Sequence, residues 1–165
     1  MNITKAIEFL EKQVPNPSAG LPDELFYYIS KTTPLVNVDL LIKDEKGRIL
    51  LSWRNDKYCG KGWHVPGGIV RFKETLEERV KKVAETEIGV EVTFDATPMA
   101  INQCILKERD IRGHFISILY NCHIQGTFIP KNKGRSRDDA GYLMWHDSIP
   151  SDLIKFHEMY KKYLK

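Results

Sequence analysis

The chain has only three cysteines, Cys59, Cys104 and Cys122, and none forms a Cys-x-x-Cys pair. Three cannot all pair within one chain, so a disulfide scaffold is excluded and a reduced, cytoplasmic setting is expected. There is no excess of one charge. Lys plus Arg number 25 against 22 Asp plus Glu, a net +3 that gives no bulk electrostatic case for a nucleic-acid partner. No apolar run approaches the ~20 residues of a membrane helix. The start "MNITKAIEFLEKQVPN" lacks the basic and apolar regions of a signal peptide, so a soluble protein without a membrane partner is expected. Internal repeats and low-complexity tracts are also lacking. The five histidines show no ligand spacing such as His-x3-His, and no Ser-His-Asp or Cys-His arrangement has local support. What is present is the ordinary make-up of one globular domain: 165 residues, 42% hydrophobic and 28% charged.

Ile3, Ile7 and Leu10 recur at helical spacing and predict an amphipathic helix over residues 3–13. "VPNPSAGLPDE" breaks it, and a second helix is expected from Pro22 to Lys31, with Pro22 in its first turn. Its rings Phe26, Tyr27 and Tyr28 either cover a groove or pack on the core. "LVNVDLLI" alternates, with Val36, Val38, Leu40 and Ile42 on one face and Asn37 and Asp39 on the other. "DEKGR" reads as a hairpin turn at Gly47, "ILLSWR" as the returning strand, "NDKYCGKG" as a loop and "WHVPGG" as an extended arm. An acidic helix follows from Thr75 to Ile88. "VEVTFDA", "MAINQCIL", "HFISILYNCHI" and "YLMWHD" read as strands, and "PKNKGRSRDDAG" as a long polar loop. A final helix capped by Ser151 would bury Leu153, Ile154, Phe156, Tyr160 and Leu164. A mixed sheet flanked by helices is the expected architecture.

The stretch "GGIVRFKETLEERVKKVAETEIGV" carries the chemistry. Cleavage beside a diphosphate needs negative charge neutralised, usually by Mg²⁺ with oxygen ligands. Carboxylates on a helix beside a glycine turn meet that need, because glycine lets backbone groups approach closely. Glu87, near the helix C-terminal end, is a bare anion where the helix dipole disfavours one, and a bound cation relieves that repulsion. Glu77, Glu78 and Glu85 read as a solvated face paired with Arg79, Lys81 and Lys82.

The segment resembles the Nudix box, Gly-x5-Glu-x7-Arg-Glu-U-x-Glu-Glu-x-Gly-U with U aliphatic. Gly68, Glu74, Ala84, Glu87, Gly89 and Val90 match in place, and Lys82 stands where the family has Arg. Val83 and Thr86 replace two of its glutamates. The resemblance runs from Pro34 to about Trp145, two-thirds of the chain, and implies an α+β fold, an α/β/α sandwich with a mixed central sheet. It divides the chain into an N-terminal helical extension, 1–33, and a Nudix domain, 34–165. The depleted box, with "TPLVNVDLLI", "GRILLSWRND" and "GKGWHVPGG", is similar to the GDP-mannose mannosyl hydrolase branch. That branch holds one Mg²⁺, attacks the anomeric carbon of the sugar and releases GDP, and its members pair as dimers. By position the resemblance implies roles for Asp39 and Arg54 in substrate binding and catalysis. It likewise makes the Gly67 carbonyl and Glu87 metal ligands. Arg54 and Lys82 would balance diphosphate charge, and Glu74 joins the expected catalytic set.

Three positions depart from the branch. Ile69 stands where an Arg follows the second glycine, and Arg71, two residues on, faces the same side of an extended strand. Phe115 replaces a tyrosine and cannot hydrogen-bond. The catalytic His falls near Ala140, leaving Asp138 or Asp139 as general base and Asp139 as a metal ligand, or both as turn residues. His64 precedes the glycine pair and is a candidate for facing the site. Trp53 and Trp63 border the expected nucleotide pocket, for base stacking or for core packing. Two alternatives stay open: attack at phosphorus by a Nudix pyrophosphatase, and a Nudix-fold nucleotide-sugar binder that does not cleave.

Overall fold

A computed structural model describes residues 2–165. Helix α1 (Ile3–Gln13) is capped by Asn2, whose side chain accepts the Lys5 amide at 2.9 Å, and it buries no residue. A 3₁₀ turn at Pro17–Ala19 leads to α2 (Asp23–Thr32). Pro22 sits at the cap of α2 rather than in its first turn. Phe26 packs on the core while Tyr28 stays exposed, so the three rings divide between the two expected roles.

Strand β1 (Leu35–Ile42) organises the rest. It pairs in parallel with β7 (His114–His123) and antiparallel with β4 (Gly67–Ile69); β7 also pairs with β5 (Thr93–Phe94) and β6 (Ala100–Ile105). A second sheet has β2 (Ile49–Asp56) between β3 (Gly60–His64) and β8 (Leu143–His146). The alternation of β1 sends Val38, Leu40 and Ile42 to one core, where α3 (Leu76–Val83) contributes Val80 and Val83. Leu41 goes to the other core, with Trp53, Trp63, Tyr160 and Leu164. Asp39 shares Leu41's face, so one carboxylate enters an otherwise apolar layer. One mixed and one antiparallel sheet, with helical segments packed on them, match the expected α+β class.

Three local expectations are corrected. "NDKYCGKG" is a strand–turn–strand rather than a loop. Asp56 Oδ1 accepts the amides of Tyr58 and Cys59, each at 2.8 Å, which tightens the turn so that Asp56 pairs with Gly60. The acidic helix is α only to Val83, beyond which Ala84–Ile88 form a π turn closed by the Gly89 amide on the Ala84 carbonyl at 2.8 Å. Gly89, at φ 82°, ends it in the left-handed region. The C-terminal helix is reduced to a 3₁₀ segment, Lys155–Tyr160, and Ser151 caps nothing. The Ile154 amide instead donates to the Trp63 carbonyl at 2.9 Å, and the Trp63 amide to Asp152. This backbone is engaged by β3 and cannot begin a helix, yet the five predicted apolar residues are all buried.

Candidate active site

A cavity of about 530 Å³ opens beside β1, within the usual range for small-molecule sites. Its floor includes Asn37, Asp39 and Ser117 from the sheet; Gly67 and Gly68 form one side, and Arg54, His64 and His157 another. The N-terminal segment closes part of the mouth with Pro17, Gly20 and Phe26.

Asp39 is 1% exposed. Its Oδ1 accepts from the Asn37 amide at 2.8 Å and its Oδ2 from the Tyr160 hydroxyl. Burial pushes this carboxyl up to about 6, although both donors pull it down. His157, also buried, is held well below the ordinary histidine value by desolvation. Its Nδ1 accepts the Val65 amide at 2.9 Å, and its Nε2 lies 3.9 Å from Asp39 Oδ1. Tyr160 is raised by burial and by the Asp39 charge, so it stays a donor. Gly67 is the direct cross-strand partner of Asp39. A Cβ there would lie 2.0 Å from Asp39 Oδ1 and 2.7 Å from the Val38 carbonyl, so only glycine permits this approach.

Glu87 leaves the π turn toward the same region. Its Oε2 is buried without a hydrogen-bond partner and stands 3.8 Å from His64 Nε2. His64 lines the cavity and Glu87 does not. Among the described residues no cluster of three or more His, Cys, Asp or Glu side chains forms a metal cage. The unpartnered Glu87 Oε2 and a backbone carbonyl at a glycine are oxygen donors of the kind a hard cation takes. Where a second carboxylate would stand, Val83 packs in the core.

The box residues Glu74 and Lys82 behave differently from expectation. Glu74 Oε2 accepts the Arg79 guanidinium at 2.7 Å from both Nε and Nη2, and the Arg71 amide at 2.9 Å. Its charge is used in holding the loop from Arg71 to α3. Lys82, placed by the motif beside the diphosphate, lies on the exposed face of α3 paired with Glu85 at 2.8 Å. Arg79 was expected on that solvated face; it is instead buried and lines the cavity. The signal for it was spacing: Arg79 follows Glu74 by five residues, with the Thr75 capping box turning the chain between them.

Arg54 lines the cavity and is paired with Asp56. Arg71 also reaches it, but its Nη1 donates to the Ala19 carbonyl at 2.6 Å. Trp63 is fully buried between Trp53 and His146, with ring centroids 5.1 and 4.4 Å away, so it cannot stack on a base. Asp138 and Asp139 do not line the cavity. Asp139 closes a local turn, accepting the Ser136 amide and hydroxyl at 2.7 and 2.8 Å, which lower its pKa. Neither the metal ligand nor the general base expected from this loop is part of the cavity lining. Phe115 lines it and packs edge-on against Phe156. His157, Tyr160 and Arg112 had no motif to mark them; only the fold brings them to Asp39 and to the cavity.

The chain is similar to known proteins in sequence and in fold. The low-salt glycan biosynthesis protein Agl8 of Haloferax volcanii is 39% identical over 84 residues, 51% of this chain and 53% of that protein. The chain thus spans about half the length of that relative. An ADP-ribose pyrophosphatase of Methanocaldococcus jannaschii is 26% identical over 134 residues, 80% of this chain and 74% of that one. In fold, the chain is similar to the MutT NUDIX hydrolase of Burkholderia pseudomallei, with a TM-score of 0.64 and 24% identity, covering 81% of this chain and 99% of the other. Among the described residues no helix is long and apolar enough to cross a membrane. The family model of the NUDIX domain matches residues 33–157, and with three-quarters of its length inside that match the chain belongs to the Nudix family.

Proposed function

We propose that this protein is a Mg²⁺-dependent hydrolase of a nucleoside diphosphate derivative, a nucleotide sugar of the GDP-mannose kind, releasing nucleoside diphosphate and sugar. The observation that carries the reading is the orphaned Glu87 Oε2 beside the Asp39–Gly67 contact. Glu87 and the Gly67 carbonyl would hold the ion. When bound, Mg²⁺ neutralises diphosphate oxygens and eases departure of the diphosphate. Arg54, at the cavity wall, would exchange its pairing with Asp56 for the diphosphate, a charge-assisted contact worth about 1.5–3 kcal/mol before that exchange. Asp39 takes the base role first expected of Asp138. It lines the cavity, and its pKa of about 6 suits accepting a proton from water at Oδ1 near neutral pH. Partial identity with a glycan-biosynthesis protein supports a sugar-bearing substrate. A reduced cytoplasmic setting and a homodimer belong to the same proposal.

A second reading keeps the metal ligands and moves attack to phosphorus. It is favoured by likeness to the ADP-ribose pyrophosphatase across 80% of this chain. Hydrolysis of a panel of nucleotide sugars in ¹⁸O-labelled water separates the two: label in the free sugar means attack at carbon, and label in phosphate means attack at phosphorus. Binding without any product after prolonged incubation with Mg²⁺ would instead support a non-catalytic nucleotide-sugar binder.

A further inference from the structure

The far end of the cavity differs in chemistry from the Asp39 end. It lies near Leu35, four residues along β1, a separation of about 13 Å at the ordinary rise of ~3.3 Å per residue. Its walls are apolar and partly aromatic: Phe26, Leu35, Phe115 and Phe156 all line the cavity and belong to one packed cluster. Arg112 lines the cavity here, and the Arg109 guanidinium lies outside the lining, 4.8 Å from the Phe156 ring centroid. The guanidinium of Arg112 lies 5.6 Å from the ring centroids of both Phe26 and Tyr58, and its Nε is buried with no hydrogen-bond partner. A buried donor left unsatisfied costs stability, so it is informative where a cavity adjoins it. The backbone adds a second sign. Arg112 holds φ at 53°, in the left-handed region that non-glycine residues disfavour. Its amide donates to the buried Ser30 hydroxyl of α2 at 3.2 Å, so the N-terminal extension fixes this strained position.

We propose that Arg112 determines base specificity by donating to the oxo edge of the substrate's nucleobase, selecting guanine or uracil over adenine and cytosine. This rests on the nucleotide reading of the Glu87 end. The apolar walls suit the faces of a planar base better than a hydroxylated sugar ring. Arginine is donor-only, so it pairs with the O6 and N7 acceptors of guanine or O4 of uracil. The amino groups of adenine and cytosine present donors to a donor and leave both unsatisfied. The run of about 13 Å along β1 from Asp39 to Leu35 leaves room for ribose and diphosphate between the two ends.

The test is calorimetric binding of GDP, ADP, UDP, CDP and inorganic pyrophosphate in the presence of Mg²⁺. Wild type should bind GDP over ADP, and UDP over CDP, by at least about fivefold, the lower bound for one good contact to a base edge. Arg112→Met should reduce both ratios to within about twofold while pyrophosphate affinity stays unchanged. Arg112→Lys keeps the charge without the planar fork and should lose most of the guanine preference. Arg112→Gln, whose amide suits adenine, should move the purine ratio toward ADP. Equal affinity for oxo and amino bases in wild type, or ratios unaltered in Arg112→Met, would overturn this assignment and leave the nucleotide reading intact. Failure of every nucleotide and of pyrophosphate to bind would overturn both.

Discussion

His157 and Asp39 face each other with their protons already assigned. The Val65 amide donates to His157 Nδ1, so the ring proton sits on Nε2, 3.9 Å from Asp39 Oδ1. A neutral histidine and a reluctant carboxylate thus share one buried site, and their titrations oppose each other.

The first prediction concerns that opposition. Asp39 has a folded pKa of about 6 against an ordinary 3.8, so its contribution to stability is full below 3.8 and lost as pH rises through about 6. That difference corresponds to about 3 kcal/mol. His157 is depressed, so its contribution is present above the ordinary 6.5 and lost as pH falls. Asp39→Asn removes the first slope and uncovers the second. In denaturant titrations with chelator, the stability of wild type minus that of Asp39→Asn should grow by up to about 3 kcal/mol between pH 7 and 4. A pH-independent difference would remove Asp39 as a perturbed group.

Glu74 and Lys82 should separate cleanly in stability. Glu74→Ala leaves the Arg79 guanidinium largely buried and unpaired, at a cost of about 2–3 kcal/mol. Lys82→Ala removes an exposed pair with Glu85 and should change stability by less than about 0.5 kcal/mol. Comparable losses from both would mean that the box motif, rather than the Arg79 contact, describes the charge balance.

Gly67→Ala is predicted to injure the site more than the fold. The new methyl meets Asp39 Oδ1 and the Val38 carbonyl, so β4 or the carboxylate must move. Overpacking of this kind costs about 1–3 kcal/mol. A displacement near 1 Å at reacting groups lowers kcat/KM by about 100-fold. Turnover near wild type in a folded Gly67→Ala would contradict the close contact.

The N-terminal segment is tied to the cavity rim by two contacts, Arg71 on the Ala19 carbonyl and the Ser18 hydroxyl on the Phe72 carbonyl at 2.8 Å. Arg71→Ala removes the first. Limited proteolysis should then cut between residues 14 and 22 several times faster, with global stability changed by less than about 1 kcal/mol. Unaltered cleavage would show that Arg71 does not hold the strap.

Much of this site was legible because periodicity and motif agree. The alternation of β1 puts Asp39 opposite the α3 core, and the glycine pair and Glu87 follow from box spacing. Other parts depend on contacts between distant segments. Lys82 occupies the right place in the motif, but Arg79 reaches Glu74 because the capping box at Thr75 sets the helix phase. Ser151 looks like a helix cap, yet the backbone after it is drawn into pairing with β3. Asp138 and Asp139 have suitable chemistry, but neither lines the cavity. No local signal joins His157 and Tyr160 to Asp39, since more than 110 residues separate them.

The central claim is that Glu87 holds the ion on which turnover depends. The most direct test follows nucleotide-sugar hydrolysis by wild type and Glu87→Gln across a Mg²⁺ titration, with folding checked by thermal unfolding. The expected result is Mg²⁺-dependent release of nucleoside diphosphate by wild type and a loss of at least about 100-fold in a folded Glu87→Gln. A Glu87→Gln protein with wild-type turnover and an unshifted Mg²⁺ dependence would contradict the account.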